Sequence, residues 1–167
     1  MEPLVDCVIE DDRWERLGLE SLSLRAASAV LAGLGMPEPG FTLCVMGCDD
    51  ARISVLNAEF RGKPLPTNVL SWPSEDLAED GPGADPARPL AGEAAEPWSL
   101  GDIAISYDTC AREAKAAGKP LADHVLHLVV HGVLHLLGYD HVDDADAALM
   151  EKHEVAILAT LGVDDPY

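Results

Sequence analysis

The chain has 167 residues, 48% of them hydrophobic, and a formal net charge of −19 at pH 7. This length suits one domain with a sizeable core. The acidity argues against nucleic-acid binding through a broad basic surface, but it excludes neither a local basic cleft nor a basic protein partner.

Hydrophobic spacing and turn residues predict a series of short strands followed by longer helices. The predicted strands cover residues 4–9, 41–46, 69–72 and 100–106, and the predicted helices cover 19–34, about 50–60, 107–117, 120–137 and about 144–161. Ser106 is a candidate N-cap for the helix that follows it. This order predicts an α+β domain with a small mixed β-sheet packed against a helical layer.

The segment 74–97 has a different composition from the rest of the chain. It contains Pro82, Pro86, Pro89 and Pro97, and it has seven acidic residues but only one basic residue, Arg88. We expect a mobile, acidic, Pro/Gly-rich insertion within a single domain that spans 1–167.

The predicted helix 120–137 is apolar on nearly every side, which is typical of a helix in the centre of a domain. It carries His131 and His135, which lie one turn apart on the same face. Gly138 allows the chain to turn back, so that His141 can reach the same point. Three histidines and an open fourth position are the pattern of a catalytic zinc site.

This spacing is that of the extended zincin motif, which predicts a zincin-like arrangement around one Zn²⁺ ion. Zincin proteases have a glutamate directly after the first histidine as general base, whereas this chain has Gly132. The replacement argues against ordinary peptide hydrolysis.

A second group of candidate residues lies between the second and third predicted strands. Arg61 is predicted on a Gly/Pro loop, where its guanidinium could hold a phosphate or form a surface salt bridge. Thr67, Asn68 and Ser71 add polar groups beside it.

Other polar residues flank the histidine motif. His127 and His124 extend its stripe and are candidates for the cleft wall or for orienting a ligand, but hydrogen-bonded structural histidines are the alternative. Asp140 is a candidate either for orienting a ligand imidazole or for stabilising the turn. His153 is predicted to be exposed on the last helix. The four cysteines include no C-x-x-C pair and are predicted to be reduced thiols.

Three stretches of the chain together resemble the YbeY family of single-strand-specific endoribonucleases. They are His131-Gly-Val-Leu-His135-Leu-Leu-Gly-Tyr139-Asp140-His141, Phe60-Arg61-Gly-Lys-Pro-Leu-Pro-Thr67-Asn68-Val-Leu-Ser71-Trp72-Pro73 and Leu100-Gly-Asp102-Ile-Ala-Ile-Ser106. The closing Leu161-Gly-Val-Asp-Asp-Pro-Tyr167 is similar too. Trp72 departs from the family's usual phenylalanine but keeps an aromatic ring.

The resemblance implies a zinc-dependent endoribonuclease that acts in 16S rRNA 3′-end maturation and ribosome quality control. It implies that His131, His135 and His141 hold zinc and that Arg61 has a catalytic role. The implied partners are ribosomal RNA, the small ribosomal subunit, one of its proteins and a ribosome-associated GTPase, all in the cytoplasm and with no membrane partner.

Two other functions remain open from the sequence. One is a ribosome assembly factor with a mainly structural zinc, which the acidity favours because an acidic surface suits a basic protein partner. The other is a metal-dependent hydrolase of a different substrate, such as a peptide. For the nuclease, attack by a metal-activated water or by a 2′-hydroxyl fits the sequence equally well.

Overall fold

The computed structural model describes residues 3–75, 77, 83–93, 95–141 and 143–167. Within these ranges the chain forms four strands and six helices. Their order is β1 (Val5–Ile9), α1 (Asp12–Leu17), α2 (Leu19–Gly33), β2 (Phe41–Cys48), α3 (Asp50–Arg61), β3 (Val69–Pro73), β4 (Trp98–Ser106), α4 (Tyr107–Ala117), α5 (Leu121–Leu136) and α6 (Asp144–Thr160).

The four strands form one mixed sheet with the order β1-β2-β4-β3. Strand β2 pairs in parallel with both β1 and β4, and β3 runs antiparallel to β4 at the edge of the sheet. The antiparallel edge places Ser71 of β3 opposite Ile103 of β4. The predicted α+β class with a small mixed sheet is therefore confirmed, while the zincin-like comparison stays a prediction.

Helix α5 lies in the centre of the fold, as its all-round apolar sequence predicts. It contacts α2, α4 and α6 as well as strands β3 and β4. Its fully or almost fully buried residues include Val125, Val129, Val133 and Leu136. Because neighbours on several sides hold α5 in place, side chains that project from it have a well-defined direction.

The sequence did not reveal α1, which has only six residues and thus too few turns for a clear apolar period. Asp11 caps this helix by accepting a hydrogen bond from the backbone of Arg13. Trp14 is fully buried and donates its indole N–H to the carbonyl of Cys48 at 2.9 Å. One side chain therefore fastens α1 to the sheet.

The predicted capping role of Ser106 is wrong. Ser106 occupies the N-cap position of α4 but makes no side-chain capping bond. Its hydroxyl instead donates to the carboxylate of Asp50 at 2.7 Å, and Asp50 also accepts a hydrogen bond from Thr109. The Ser106 hydroxyl therefore bonds to Asp50 at the start of α3 and not to the backbone of α4. This contact connects the start of α4 to the start of α3.

The described residues of the insertion make specific contacts with the body of the protein. Asp85 accepts a hydrogen bond from the hydroxyl of Tyr139 at 2.6 Å and lies 3.1 Å from Nε2 of His153. Pro86 and Pro89 are buried. His153 is thus partly buried rather than exposed as predicted, because Asp85 reaches it across the fold. Residues 76, 78–82 and 94 lie outside the described ranges, and the mobility of the insertion stays a prediction.

In the part of the chain that the structure describes, no helix combines the length and the apolar character needed to cross a membrane. The cytoplasmic location stays a prediction.

Candidate metal centre and cleft

The turn after α5 brings the three histidines of the motif together. His131 and His135 project from the last turns of α5, which ends at Leu136. Gly138 has a φ of 98°, a left-handed conformation that glycine adopts without a Cβ clash. The chain reverses there, with the backbone N–H of Gly138 donating to the carbonyl of His135 at 3.0 Å. The reversal carries His141 back toward the helix.

The nitrogen atoms of these imidazoles are close enough to hold a single ion. One ligand nitrogen from each of His131, His135 and His141 lies within 4.8 Å of the others. The Nε2 atoms of His131 and His135 are 3.0 Å apart. We call these three residues the histidine cluster; they could bind a metal, as their spacing in the sequence predicts.

The protonation of His135 fits metal binding. Burial, and secondly the neighbouring His131, lower the pKa of His135 to about 4. The imidazole is therefore neutral at pH 7, the form that coordinates metals. A set of three imidazole ligands suits zinc, although it suits several other transition metals as well.

A carboxylate that the sequence analysis missed lies directly behind the cluster. Glu154 of α6 is fully buried, and its Oε1 accepts a hydrogen bond from Nδ1 of His131 at 2.5 Å. Its Oε2 lies 3.0 Å from Nε2 of His127. Since Nδ1 of His131 is engaged by Glu154, Nε2 of His131 is the nitrogen that faces the other histidines.

The sequence contains a signal that could have identified Glu154. The buried face of α6 includes Met150, Ile157 and Leu158, and Glu154 falls on the same helical stripe. A lone carboxylate on an apolar stripe requires a polar partner inside the fold. The sequence does not name that partner, because it lies on another helix.

Tyr167 completes the hydrogen bonds around this carboxylate. Its hydroxyl donates to Oε2 of Glu154, and its ring packs edge-on against His127 with centroids 5.8 Å apart. Burial alone raises the pKa of Glu154, but hydrogen bonds from His127, His131 and Tyr167 outweigh burial and lower this pKa to about 2. Glu154 is therefore ionised at neutral pH.

The histidine cluster opens into a cavity of about 560 Å³, which we call the cleft. The cleft is lined by the end of α3, by β3 and the segments on either side of it, by α5 and the turn that follows it, and by Tyr167. The lining residues are Phe60, Arg61, Thr67, Asn68, Val69, Ser71, Pro73, Glu75, Leu77, His127, Leu128, His131, His135, Gly138, Tyr139, Asp140, His141 and Tyr167.

Arg61 lines the cleft, but it is the last residue of α3 rather than part of a loop as predicted. The helix continues for one more residue than expected and is capped by Gly62, which follows it with a φ of 69°. No carboxylate of the described residues forms an ion pair with Arg61, in contrast to Arg52 on the same helix, which pairs with Glu10. The surface salt bridge considered for Arg61 is thus absent from the described structure.

Asn68 and Ser71 also line the cleft, although the amide of Asn68 is already engaged. Asn68 donates to Glu113 at 3.0 Å and accepts from the backbone of Val69 at 2.6 Å. These bonds tie β3 to α4. The direct functional roles suggested for Asn68 and Ser71 stay predictions.

Gly132 explains how closely α5 approaches the sheet. A Cβ at this position would lie 3.0 Å from Cδ1 of Ile103 and 3.2 Å from Oγ of Ser71. A methyl group at this position requires shifts of a few tenths of an ångström in these two side chains, and a longer side chain requires more. A glutamate in the position used by zincin proteases would therefore be crowded against β3 and β4.

Asp140 touches the backbone and the side chain of the third histidine. Its Oδ1 accepts a hydrogen bond from the backbone N–H of His141 at 2.7 Å and lies 3.4 Å from Nδ1 of the same residue. Both suggested roles, turn stabilisation and imidazole orientation, are compatible with this placement. His141 is the most open member of the cluster, with 59% of its side chain exposed, compared with 22% for His131.

Comparison with known proteins identifies a family whose members are similar to this chain. The family model described as endoribonuclease YbeY matches residues 9–162. A protein named endoribonuclease YbeY from Cereibacter sphaeroides is 63% identical over 167 residues, covering 100% of both chains. One of the same name from Paracoccus denitrificans is 60% identical, covering 98% of this chain and 89% of the relative.

A solved structure shares the fold at lower sequence similarity. The solution structure of TM1509 from Thermotoga maritima has a TM-score of 0.55 and 20% sequence identity, and the match covers 95% of this chain and 91% of that one. The sequence matches extend over the histidine cluster, Arg61 and Glu154 alike. The chain therefore belongs to the endoribonuclease YbeY family.

Proposed function

We propose that this protein is a metal-dependent endoribonuclease that cuts single-stranded RNA in the cleft. The observation that carries the proposal is the histidine cluster, three imidazoles within 4.8 Å of one another, in a cavity that is also lined by Arg61. The names of the relatives supply the reaction class, and the cleft supplies groups suited to it.

His131, His135 and His141 would hold one Zn²⁺ ion. Bound zinc lowers the pKa of a coordinated water to ~7 and polarises a phosphoryl oxygen. Glu154 holds His131 in the tautomer with a free Nε2, and the buried, neutral His135 binds a cation without first losing a proton. The chain thus supplies imidazole donors that are already close together.

Arg61 would bind the phosphate that is being cleaved. Its guanidinium is always charged, offers two parallel N–H donors and has no carboxylate partner among the described residues. Charge that builds up on the phosphate oxygens during cleavage would be stabilised by this group. A glutamate at the position of Gly132 would be crowded against Ile103 and Ser71, which is a further argument against peptide hydrolysis.

The biological substrate we propose is the 3′ end of 16S rRNA, together with the RNA of defective ribosomes. This proposal rests on the family and not on the cleft. A small-subunit ribosomal protein and a ribosome-associated GTPase are the proposed cytoplasmic partners. Such partners would help an acidic protein, of net charge −19, to reach its RNA.

The test combines metal analysis with cleavage of a small-subunit RNA fragment. We expect about one zinc per wild-type chain and cleavage that follows the zinc content. His135→Ala should lose metal and activity, while Arg61→Ala should keep its metal and lose about 100-fold or more in kcat/KM. Arg52→Ala is the matched control, because Arg52 lies on the same helix but outside the cleft lining.

The acidity of the chain favours a second candidate function, a ribosome assembly factor whose zinc is structural. This second function predicts that His135→Ala unfolds as it loses metal, whereas an Arg61→Ala protein that retains zinc fully supports ribosome maturation. Unchanged RNA cleavage by purified, metal-free His135→Ala protein would exclude a metal-dependent nuclease that uses the histidine cluster.

A further inference from the structure

Most large exposed hydrophobic side chains of the described residues lie away from the cleft, and the two exceptions are both aromatic. Phe60 and Tyr167 are 44% and 60% exposed and line the cleft. The others are Val8, Leu24, Val55, Leu65, Leu90 and Trp98. The hydroxyl of Tyr167 donates to Glu154, and its ring contacts His127. The Phe60 side chain has no polar atom to hydrogen-bond, so its exposure in the cleft requires another explanation.

The Phe60 ring is held in position from behind. It packs against Trp72 of β3 with ring centroids 5.1 Å apart and an interplanar angle of 43°. Trp72 in turn packs on the small cluster of buried residues between α3 and the sheet, which includes Ile53 and Leu70. Because successive strand residues point to opposite faces, Trp72 lies behind β3 while Ser71 lines the cleft. Phe60 is thus an exposed ring on a firm support.

A positively charged side chain, that of Arg61, lies next to the Phe60 ring. The guanidinium carbon of Arg61 lies 5.9 Å from the centroid of the Phe60 ring, and both residues line the cleft. An apolar ring beside a guanidinium matches two chemical parts of a nucleotide, the face of the base and the charged phosphate. A peptide chain offers no regular pairing of these two parts.

We propose that Phe60 is a stacking platform for one unpaired base of single-stranded RNA, next to the phosphate held by Arg61. Aromatic rings and guanidinium planes commonly receive splayed-out bases in single-stranded RNA. A base inside a duplex keeps both faces stacked on its neighbours and cannot use the platform. The platform therefore favours single strands over duplexes through its shape and not through the base sequence. This inference rests on the proposed function.

The test is steady-state cleavage of a short single-stranded RNA by zinc-loaded protein carrying Phe60→Leu. Because the variant lacks the ring on which a base would stack, we expect KM to rise about tenfold with little change in kcat. Phe60→Tyr keeps the ring and should retain a KM close to that of the wild type. Trp98→Leu is the matched control, since Trp98 is also 44% exposed but is not part of the cleft lining.

Oligonucleotides with one abasic residue provide an independent readout. One abasic position should weaken binding to wild-type protein about tenfold and have little further effect on Phe60→Leu. Binding is measured by fluorescence anisotropy, and circular dichroism checks that the variants are folded. The proposal is overturned if Phe60→Leu binds and cleaves like Trp98→Leu, or if every abasic position weakens both proteins equally.

The two levels of proposal fail in different ways. If the wild-type protein binds single-stranded RNA through Phe60 but does not cut it, the nuclease proposal fails and the platform stands. If the wild-type protein cuts the RNA and Phe60→Leu does so with an unchanged KM, the platform fails and the nuclease proposal stands.

Discussion

The buried carboxylate of Glu154 accepts a hydrogen bond from Nδ1 of His131 at 2.5 Å, although the two residues lie 23 positions apart on different helices. A histidine that binds metal through one nitrogen commonly donates its other N–H to such a partner, which fixes the tautomer and the direction of the ring. Glu154 thus connects the packing of α6 on α5 to the chemistry of the histidine cluster.

Replacement of Glu154 by glutamine should weaken zinc binding by about 10–100-fold, because the amide is a poorer acceptor for the imidazole N–H. Competition with a chromogenic chelator measures this affinity without any nuclease assay. Glu151→Gln is the matched control, since Glu151 is an exposed carboxylate on the same helix. Equal affinities for Glu154→Gln and Glu151→Gln would show that the Glu154–His131 contact does not support the metal.

Glu154 should also make the stability of the metal-free protein depend on pH in the acidic range. Its pKa is lowered from 4.5 to about 2, so the ionised carboxylate stabilises the fold above pH 4.5. This contribution is lost as the pH falls from 4.5 toward about 2. Urea unfolding of the wild type and Glu154→Gln at several pH values should give a difference in free energy of unfolding that shrinks over this interval. A difference that is constant with pH would contradict the assignment.

Introduction of the zincin glutamate, Gly132→Glu, should destabilise the protein by about 3 kcal/mol and create no protease activity. The new carboxylate would be forced against Ile103 and Ser71 without a partner. Gly132→Ala is the informative comparison, because its gain in helix propensity of up to about 1 kcal/mol offsets the crowding of one methyl group. Denaturant unfolding of both variants checks the order; a Glu variant as stable as the wild type would mean that α5 can move away from the sheet.

Loss of the Tyr139 hydroxyl should loosen the insertion. Tyr139→Phe removes the hydrogen bond to Asp85 and should cost about 1 kcal/mol of unfolding free energy. Limited proteolysis should then cut the segment 83–93 faster. A double-mutant cycle with Asp85→Ala, which removes the acceptor, separates this bond from the contact of Asp85 with His153. Additive effects of the two substitutions would show that the Tyr139–Asp85 bond contributes nothing.

The four cysteines, which are all free thiols, should react slowly with alkylating agents in the native protein at pH 8. Burial raises the pKa of Cys7 to about 11 and that of Cys48 to about 12, and it also raises the pKa of Cys110. Mass spectrometry should find little labelling at Cys48 and Cys110 until denaturant is added, and four labels afterwards. Rapid native labelling at Cys110 would indicate local opening of α4.

The sequence by itself determined the features that depend on near neighbours in the chain. His131 and His135 are four residues apart, so they lie on one face of any regular α-helix. Gly138 marks the turn that brings His141 back toward them. The all-round apolar character of α5 predicted its central position, and short apolar stretches between turn residues predicted the strands of the sheet. These signals are local and periodic, so they survive without knowledge of the fold.

Only the tertiary structure decided which distant residues complete the site. Glu154 meets His131 because α6 packs on α5, and Phe60 meets Trp72 because α3 packs on the sheet. Arg61 lies at the end of α3 and not in the predicted loop, and the close approach of α5 to β3 crowds any side chain at the position of Gly132. Such contacts join segments far apart in sequence, and their partners are chosen by three-dimensional packing, which no local pattern records.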